Sequence, residues 1–264
     1  MSATASQDAA SPMISTQEAG QTLDPGPLRS GTLKTLVVFG DSFSATARRD
    51  LDAVYSAEEM TWVDFLKSHP DLRTPVIRNF AYPYATAKVD LGEQMAKFFT
   101  VYPPGSREKI LEPTTTTYVF YFGINDCDVT LAEDVAPLVD KVLDAARTLR
   151  REVGATDFVI MDIPPLERSP EATGRTPENA TQVIAAMDAW NKVLRVKVAN
   201  FAQEAAGRTI RVFSPHAVFT AILDHPEEYG FTMEDTTKIG GAIWADEVHA
   251  TPAVHKIVAA RLVA

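Results

Sequence analysis

Three residues of this chain, a serine near the start and an aspartate and a histidine near the end, could together form a nucleophilic site. Ser42 lies in the segment Gly40-Asp41-Ser42-Phe43, and Asp246 precedes His249 by three residues. A serine hydroxyl is a weak nucleophile until a base takes its proton, and the base needs a third group that fixes its tautomer. A spacing of three lets one local turn hold a carboxylate beside an imidazole. These residues indicate a serine hydrolase.

The positions of these residues relative to the predicted strands support the same interpretation. Ser42 follows the apolar run 35–39, which is typical of a buried strand in a parallel sheet. A second such run, 118–122, ends in Gly123-Ile124-Asn125-Asp126, where the Asn125 amide could donate to an oxyanion. Because ligands of open α/β sheets bind at the carboxyl ends of the strands, we expect both segments at one binding edge.

Either motif alone is also typical of an ordinary turn or helix start, but the three segments together resemble a known family. The chain resembles the SGNH (GDSL-type) esterase and acylhydrolase superfamily from about residue 34 to the C-terminus. The family motifs Phe-Gly-Asp-Ser, Gly-x-Asn-Asp and Asp-x-x-His are matched, in the family's order, at residues 39–42, 123–126 and 246–249. The run 249–252 and His255 resemble the fungal and plant branch.

The resemblance implies a carboxylic-ester hydrolase that forms a covalent acyl-enzyme. Ser42 would attack the ester carbonyl, His249 would take and return the proton, and Asp246 would orient His249. Ser42, Asn125 and Tyr84 would supply the oxyanion hole. Two alternatives stay open. The same site could transfer the acyl group or serve a lyase or cyclisation step of a small-molecule pathway, or the chain could be a binding protein that has lost efficient catalysis.

One block departs from the family pattern. The family usually has Asn-Phe-Ala-x-Gly-Gly-Ala-Thr, whereas residues 79–86 place Pro83 and Tyr84 at the two glycine positions. Proline has no N–H to donate, and tyrosine adds a Cβ and a ring where positive φ favours glycine. We therefore expect a smaller, reshaped or weakened oxyanion hole. Loss of one such donor costs about 2.7–4 kcal/mol of transition-state stabilisation.

The substrate pocket is expected to be built from side chains around this edge and from the insertions after the strands, at 45–55, 82–89, 166–177 and 224–244. Its aromatic and apolar residues favour an acyl chain or a ring over a bare sugar. The predicted substrate-binding residues are Asp41, Phe43, Tyr82, Ile124, Pro164 and Trp244. We predict no cofactor. We also predict no metal, because one acidic residue and two histidines, Asp246, His249 and His255, have no further clear ligand beside them to complete a zinc site. Trp190 and Met187 lie on a helical stripe and are predicted to be core residues.

Composition predicts one α/β enzyme domain. The chain has 264 residues, 45% hydrophobic and 23% charged, with one cysteine and a net charge of −10. Residues 1–30 resemble a disordered tail and lack the pattern of a signal peptide, and residues 31–264 are predicted to form the hydrolase domain.

We expect a small-molecule ester as partner, no nucleic acid, no integral membrane association and a cytoplasmic location, although a secreted chain without its leader would look the same. The oligomeric state is open.

A regular alternation of strands and helices predicts the fold. Apolar runs at 35–39, 76–80, 118–122, 158–161 and 210–213 are separated by helical patterns near 91–99, 135–149 and 183–201, and a last helix is expected over 252–263. A further helix is predicted after a capping box at 56–59. This order predicts an α/β fold, namely a three-layer α/β/α arrangement with a flavodoxin-like five-stranded parallel sheet.

Overall fold

The computed structural model of the chain describes residue 28 and residues 32–46, 60–108, 110–204 and 209–263. A five-stranded parallel sheet forms its centre, with strand order β2-β1-β3-β4-β5. The strands are β1 (Thr35–Gly40), β2 (Val76–Asn79), β3 (Thr116–Tyr121), β4 (Asp157–Met161) and β5 (Thr209–Phe213). The order reverses direction beside β1 and β3, so the predicted flavodoxin-like sheet is confirmed. In such sheets ligands bind outside the carboxyl ends of the strands at this switch point.

Burial of the strands explains why their sequences are continuous apolar runs. Every residue of β3 and β4 is buried, and only the first residue of β1 is partly exposed. β2 is an edge strand, and its residues alternate between exposed and partly buried positions. Helices cover both faces of the central strands, and strands buried on both faces contain few polar residues.

Seven α-helices lie in the described part of the chain. They are α1 (Trp62–Leu66), α2 (Asp90–Val101), α3 (Ile124–Asp128), α4 (Ala136–Val153), α5 (Pro177–Gln203), α6 (Pro215–Asp224) and α7 (Pro252–Val263). Short 3₁₀ helices occupy Pro113–Thr115, Ala132–Asp134, Leu166–Arg168, Pro170–Gly174, Pro226–Tyr229 and Glu234–Thr236. Helices α2, α4 and α5 pack in sequence on one another, as do α1, α7 and α6. The three predicted layers are thus present.

The helix predictions near 91–99, 135–149, 183–201 and 252–263 agree with α2, α4, α5 and α7. Helix α6 was not predicted, although its start carries two sequence signals. Ser214 caps it by accepting the N–H of Ala217, and Pro215 occupies its first position. Trp190 and Met187 are buried on α5, so their predicted place in the core is confirmed. The predicted capping box at 56–59 lies outside the described residues.

The predicted disordered tail, residues 1–30, lies outside the described residues except at Leu28. Leu28 is buried, and its N–H donates to the Leu262 carbonyl at 3.0 Å. Leu28 is therefore held by a backbone hydrogen bond to the end of α7, and the tail over residues 1–30 stays a prediction. None of the helices in the described ranges is long and apolar enough to span a membrane. The cytoplasmic location stays a prediction.

Candidate active site

A tight turn after β1 presents Ser42 at the carboxyl edge of the sheet. The Asp41 carbonyl accepts the N–H groups of Ser44 at 3.1 Å and Ala45 at 3.0 Å. Gly40 ends the strand beside β3, and a Cβ at this position would lie 2.7 Å from the Tyr121 carbonyl oxygen. Only glycine allows the two backbones to approach this closely without a shift.

Ser42, His249 and Asp246 form one chain of hydrogen bonds. The Nε2 atom of His249 lies 2.9 Å from Ser42 Oγ, and its Nδ1 atom lies 2.7 Å from Asp246 Oδ2. The His249 side chain is 39% exposed and that of Asp246 48%, so the chain opens to solvent. The geometry suits a neutral imidazole that donates from Nδ1 to the carboxylate and accepts the serine proton at Nε2.

The loop before α7 fixes the orientation of this pair. Asp246 Oδ1 accepts the backbone N–H groups of Val248 at 2.8 Å and His249 at 2.6 Å. Burial acts to raise the pKa of Asp246, but these two N–H groups and the His249 imidazole outweigh it, and the pKa lies below its ordinary value. Asp246 is therefore ionised at neutral pH. The Phe43 ring lies against the His249 ring, with 5.5 Å between centroids.

Tyr84 adopts a left-handed backbone conformation, which glycine adopts more easily than any other residue. Its φ is +63°, in the left-handed region, and its side chain is 83% exposed. The loop around it is tied at both ends, since the Tyr82 N–H donates to the Gly40 carbonyl at 3.3 Å and Asn125 Nδ2 donates to the Ala85 carbonyl at 3.0 Å. Tyr84 thus lies between the end of β1 and the start of α3.

Two buried or half-buried carboxylates hold the rest of this loop. Asp126 on α3 accepts the N–H groups of Ala87 at 2.9 Å and Lys88 at 3.0 Å. Asp90 on α2 accepts both the N–H and the hydroxyl of Thr86 at 2.8 Å. The loop conformation is therefore fixed by contacts of residues other than Tyr84. This is the type of surrounding that keeps a strained residue in place.

Within the described ranges, the backbone N–H groups of Ser42 and Tyr84 have no protein acceptor. The Asn125 amide uses one of its two hydrogens on Ala85, which leaves the other free. The three groups predicted for the oxyanion hole therefore keep donor hydrogens without a protein acceptor among the described residues, and their role in the hole stays a prediction. Among the described residues, His, Cys, Asp and Glu side chains form no group of three or more that could hold a metal ion.

Comparison with known proteins identifies the family. The sequence matches the family described as GDSL-like Lipase/Acylhydrolase over residues 36–262. The chain belongs to this family. It is an ester-hydrolysing hydrolase of the GDSL type, as the resemblance implied. An acetylesterase of Thermothelomyces thermophilus is 23% identical over 274 aligned positions, which cover 88% of this chain and 89% of that protein.

Solved structures of a lipase/acylhydrolase and an acetylxylan esterase share the fold of this GDSL hydrolase. A lipase/acylhydrolase from Enterococcus faecalis is 18% identical, with a TM-score of 0.51 and coverage of 88% of this chain and 94% of that one. An acetylxylan esterase from Geobacillus stearothermophilus, solved as a catalytic mutant, is 15% identical, with a TM-score of 0.52 and coverage of 86% and 91%. At these identities the likeness establishes the fold.

The GDSL hydrolase places two predicted substrate-binding side chains in its interior. Asp41 and Trp244 both have 0% exposure. The Trp244 indole N–H donates to the Thr236 carbonyl at 2.9 Å, and its ring packs on Phe219 with centroids 6.0 Å apart. Full burial contradicts the predicted contact of these two side chains with substrate. Trp244 instead stabilises the loop that precedes Asp246.

The remaining predicted pocket residues divide by exposure. Phe43, Ile124 and Pro164 are buried, so these three side chains do not form an open wall of a pocket. Tyr82 is half-buried, and its hydroxyl donates to Asp90 at 3.0 Å. Burial, followed by the nearby Asp90 carboxylate, raises the pKa of Tyr82. The Tyr84 side chain, whose residue was predicted for the oxyanion hole, is far more exposed than any of these.

Two contacts of the GDSL hydrolase were not predicted from the sequence. The buried Gln94 amide accepts the Gly40 N–H at 3.0 Å and donates to the Gly40 carbonyl at 2.8 Å, which fixes the end of β1. The signal in the sequence is a glutamine at a position that shares the buried face of α2 with Leu91, Met95 and Phe98. The Glu171 N–H donates to the Glu247 carbonyl at 2.8 Å, so the insertion after β4 braces the loop of Asp246 and His249.

Proposed function

We propose that the chain hydrolyses carboxylic esters through a covalent intermediate on Ser42. The observation that carries this proposal is the chain of hydrogen bonds from Ser42 Oγ to His249 Nε2, at 2.9 Å, and from His249 Nδ1 to Asp246 Oδ2, at 2.7 Å. A nucleophile in contact with a base that a carboxylate orients is the arrangement required for acyl transfer to serine.

In the first half of the reaction, Ser42 Oγ attacks the ester carbonyl carbon while its proton passes to His249 Nε2. The carbonyl π electrons move onto oxygen, and the Ser42 N–H, the Tyr84 N–H and the Asn125 amide stabilise that oxyanion. The intermediate then collapses. The bond to the leaving alcohol breaks, and the alcohol oxygen takes the proton from His249.

In the second half, water replaces the alcohol. His249 takes a proton from the attacking water, the carbonyl carbon gains the hydroxyl, and the bond to Ser42 Oγ breaks as the serine regains its proton. Asp246 stabilises the imidazolium in both halves because its lowered pKa keeps it ionised.

We propose short acyl groups, acetyl above all, as the acyl part of the substrate. The acetylesterase relative, which is similar over most of both chains, supports this choice. The burial of Phe43, Ile124 and Pro164 also supports it, because buried side chains offer no open apolar wall to a long acyl chain. The Tyr84 ring, 83% exposed at the rim, is proposed to contact the alcohol part.

A fluorophosphonate probe tests the nucleophile directly. We expect the adduct to map to Ser42 by peptide mass spectrometry and to be absent in Ser42→Ala, with Ser44→Ala as a matched control that keeps the adduct. Labelling that persists in Ser42→Ala would contradict the assignment. Hydrolysis of p-nitrophenyl acetate compared with longer-chain esters tests the acyl group, and a preference for long chains would contradict the acetyl proposal.

A further inference from the structure

Asp41, the residue before Ser42, has a buried carboxyl group that lies at the centre of the nucleophile turn. Its Oδ1 atom accepts the Phe43 N–H at 3.0 Å, whereas its Oδ2 atom has no hydrogen-bond partner among the described residues. Its backbone carbonyl accepts the N–H groups of Ser44 and Ala45. One residue thus joins both sides of the turn that presents Ser42.

The surroundings of this carboxyl disfavour a negative charge. The carboxyl of Asp126, on α3, repels it, and the buried phenol of Tyr121 faces it from the end of β3. No ion pair within the described ranges gives Asp41 a cation. Burial raises the pKa of Asp41 to about 8, with the Phe43 N–H opposing this and Asp126 adding to it. A carboxylate with an oxygen that lacks donors is costly in the interior.

We propose that Asp41 is a positioning residue that works as a neutral carboxylic acid, and that its ionisation switches the site off in mildly alkaline solution. The proposal rests on the proposed role of Ser42. A charge on Asp41 would lie in the same turn as the Ser42 N–H, which is one of the three donors proposed to hold the oxyanion. It would therefore oppose the negative charge that develops on the substrate carbonyl oxygen, and water would screen this opposition little.

The same ionisation has a consequence for stability that does not depend on catalysis. In the unfolded chain Asp41 titrates near its ordinary value of 3.8, but in the folded chain it titrates near 8. Between these values the folded chain holds a proton that the unfolded chain has lost, so the contribution of Asp41 to stability decreases as pH rises through this window. Asparagine has no such proton, and Asp41→Asn should lose this decrease.

The experiment compares wild type, Asp41→Asn and Asp41→Ala with the control Asp134→Asn, which makes the same chemical change at an exposed site. We expect wild type and Asp134→Asn to lose kcat/KM roughly tenfold per pH unit above the pKa of Asp41, measured with p-nitrophenyl acetate at the isosbestic wavelength of p-nitrophenol. The ratio of kcat/KM at alkaline pH to that at neutral pH should be about tenfold higher in Asp41→Asn. Asp41→Ala loses the acceptor of the Phe43 N–H, so its activity should be low at every pH without the alkaline fall.

The stability readout separates failure of this proposal from failure of the proposed function. The melting temperature of Asp41→Asn relative to wild type should increase from pH 4 to pH 8 and then stay level. A difference that does not change with pH would overturn the proposal whatever the identity of the nucleophile. An alkaline fall that is the same in wild type and Asp41→Asn would also overturn the switch. If Asp41→Asn does not fold, Asp41→Ala also removes the titrating group, and an alkaline fall in that variant would overturn it.

Discussion

Replacing Tyr84 by glycine would separate the two contributions of this residue, which are a backbone N–H held at positive φ and an exposed ring. Because the side chain is 83% exposed, its removal exposes little buried surface. Because φ is already +63°, glycine can occupy the same conformation and keep the N–H in place. The change should therefore affect the backbone strain and the rim of the site, and leave the proposed oxyanion donor, the N–H of residue 84, intact.

The expected change in stability follows from two opposing terms. An L-residue in the left-handed region is destabilised by about 1–2 kcal/mol. Glycine loses more backbone freedom on folding, which costs about 0.5–1 kcal/mol. The net gain is small and positive, and in a chain of this size it raises Tm by about 2 °C.

Thermal unfolding and kinetics on two esters measure the two contributions. We expect kcat/KM for p-nitrophenyl acetate to stay within about threefold of wild type, because each donor removed would cost about 2.7–4 kcal/mol and none is removed. An acetate ester of a bulky alcohol should be hydrolysed faster, because the ring no longer limits the rim. Tyr84→Ala should give the same kinetics without the gain in Tm, since alanine keeps the Cβ.

Thr74 provides the matched control. It is exposed and has a φ of +46°, but it precedes β2 and so lies at the opposite edge of the sheet from Ser42. Thr74→Gly should raise Tm similarly and leave kcat/KM unchanged. A fall of about a hundredfold or more for p-nitrophenyl acetate in Tyr84→Gly, with normal activity in Thr74→Gly, would refute the argument that the loop holds the N–H independently of the residue at 84.

Two further predictions concern the histidines. Asp246→Asn should lower kcat by up to about 10⁴-fold without unfolding the chain, because the amide sets the wrong tautomer of His249; a loss below about tenfold in steady-state assays would contradict the role of Asp246. Burial, followed by the charge of His249, lowers the pKa of His255 from 6.5 to about 3. Stability should therefore fall between these values as pH is lowered, by up to about 1.4 kcal/mol per pH unit, because the unfolded chain binds a proton that the folded chain does not. Urea unfolding of His255→Phe should show a smaller fall, and an equal fall would exclude His255 as its source.

The sheet could be predicted from sequence because its central strands are buried on both faces. Burial on both sides leaves uninterrupted apolar runs, as in β1 and β3, and such runs are readily distinguished from helices when turns bound them. Helix α6 was missed because its ten residues are largely apolar, so that the buried positions Phe219, Ile222 and Leu223 do not stand out from their neighbours in the sequence. The short helix α3 was missed because five residues contain too little periodicity to be recognised.

The sequence was sufficient to name candidate residues for the site, but it did not predict how their side chains are oriented. Sequence order shows which residues follow a strand, and this predicted Ser42 and Asn125 at one edge, whereas His249 was predicted from its spacing to Asp246. It does not show where a side chain points in a tight turn. Asp41 follows the same strand as Ser42, yet its carboxyl turns inward because the Phe43 N–H lies there. Trp244 turns inward in the same way, toward the Thr236 carbonyl.

The substitution of glycine by Tyr84 can be explained by comparing two costs. Keeping a tyrosine in the left-handed region costs about 1–2 kcal/mol of folding free energy. Letting the loop relax would instead displace the N–H and cost about 2.7–4 kcal/mol in the transition state. Asn125, Asp126 and Asp90 hold the loop through the backbone of residues 85–88, so the strain is kept and the donor is retained. On the proposed mechanism, residue 84 can therefore change its side chain, and with it the alcohols accepted at the rim, while the proposed oxyanion donor at that position stays the same.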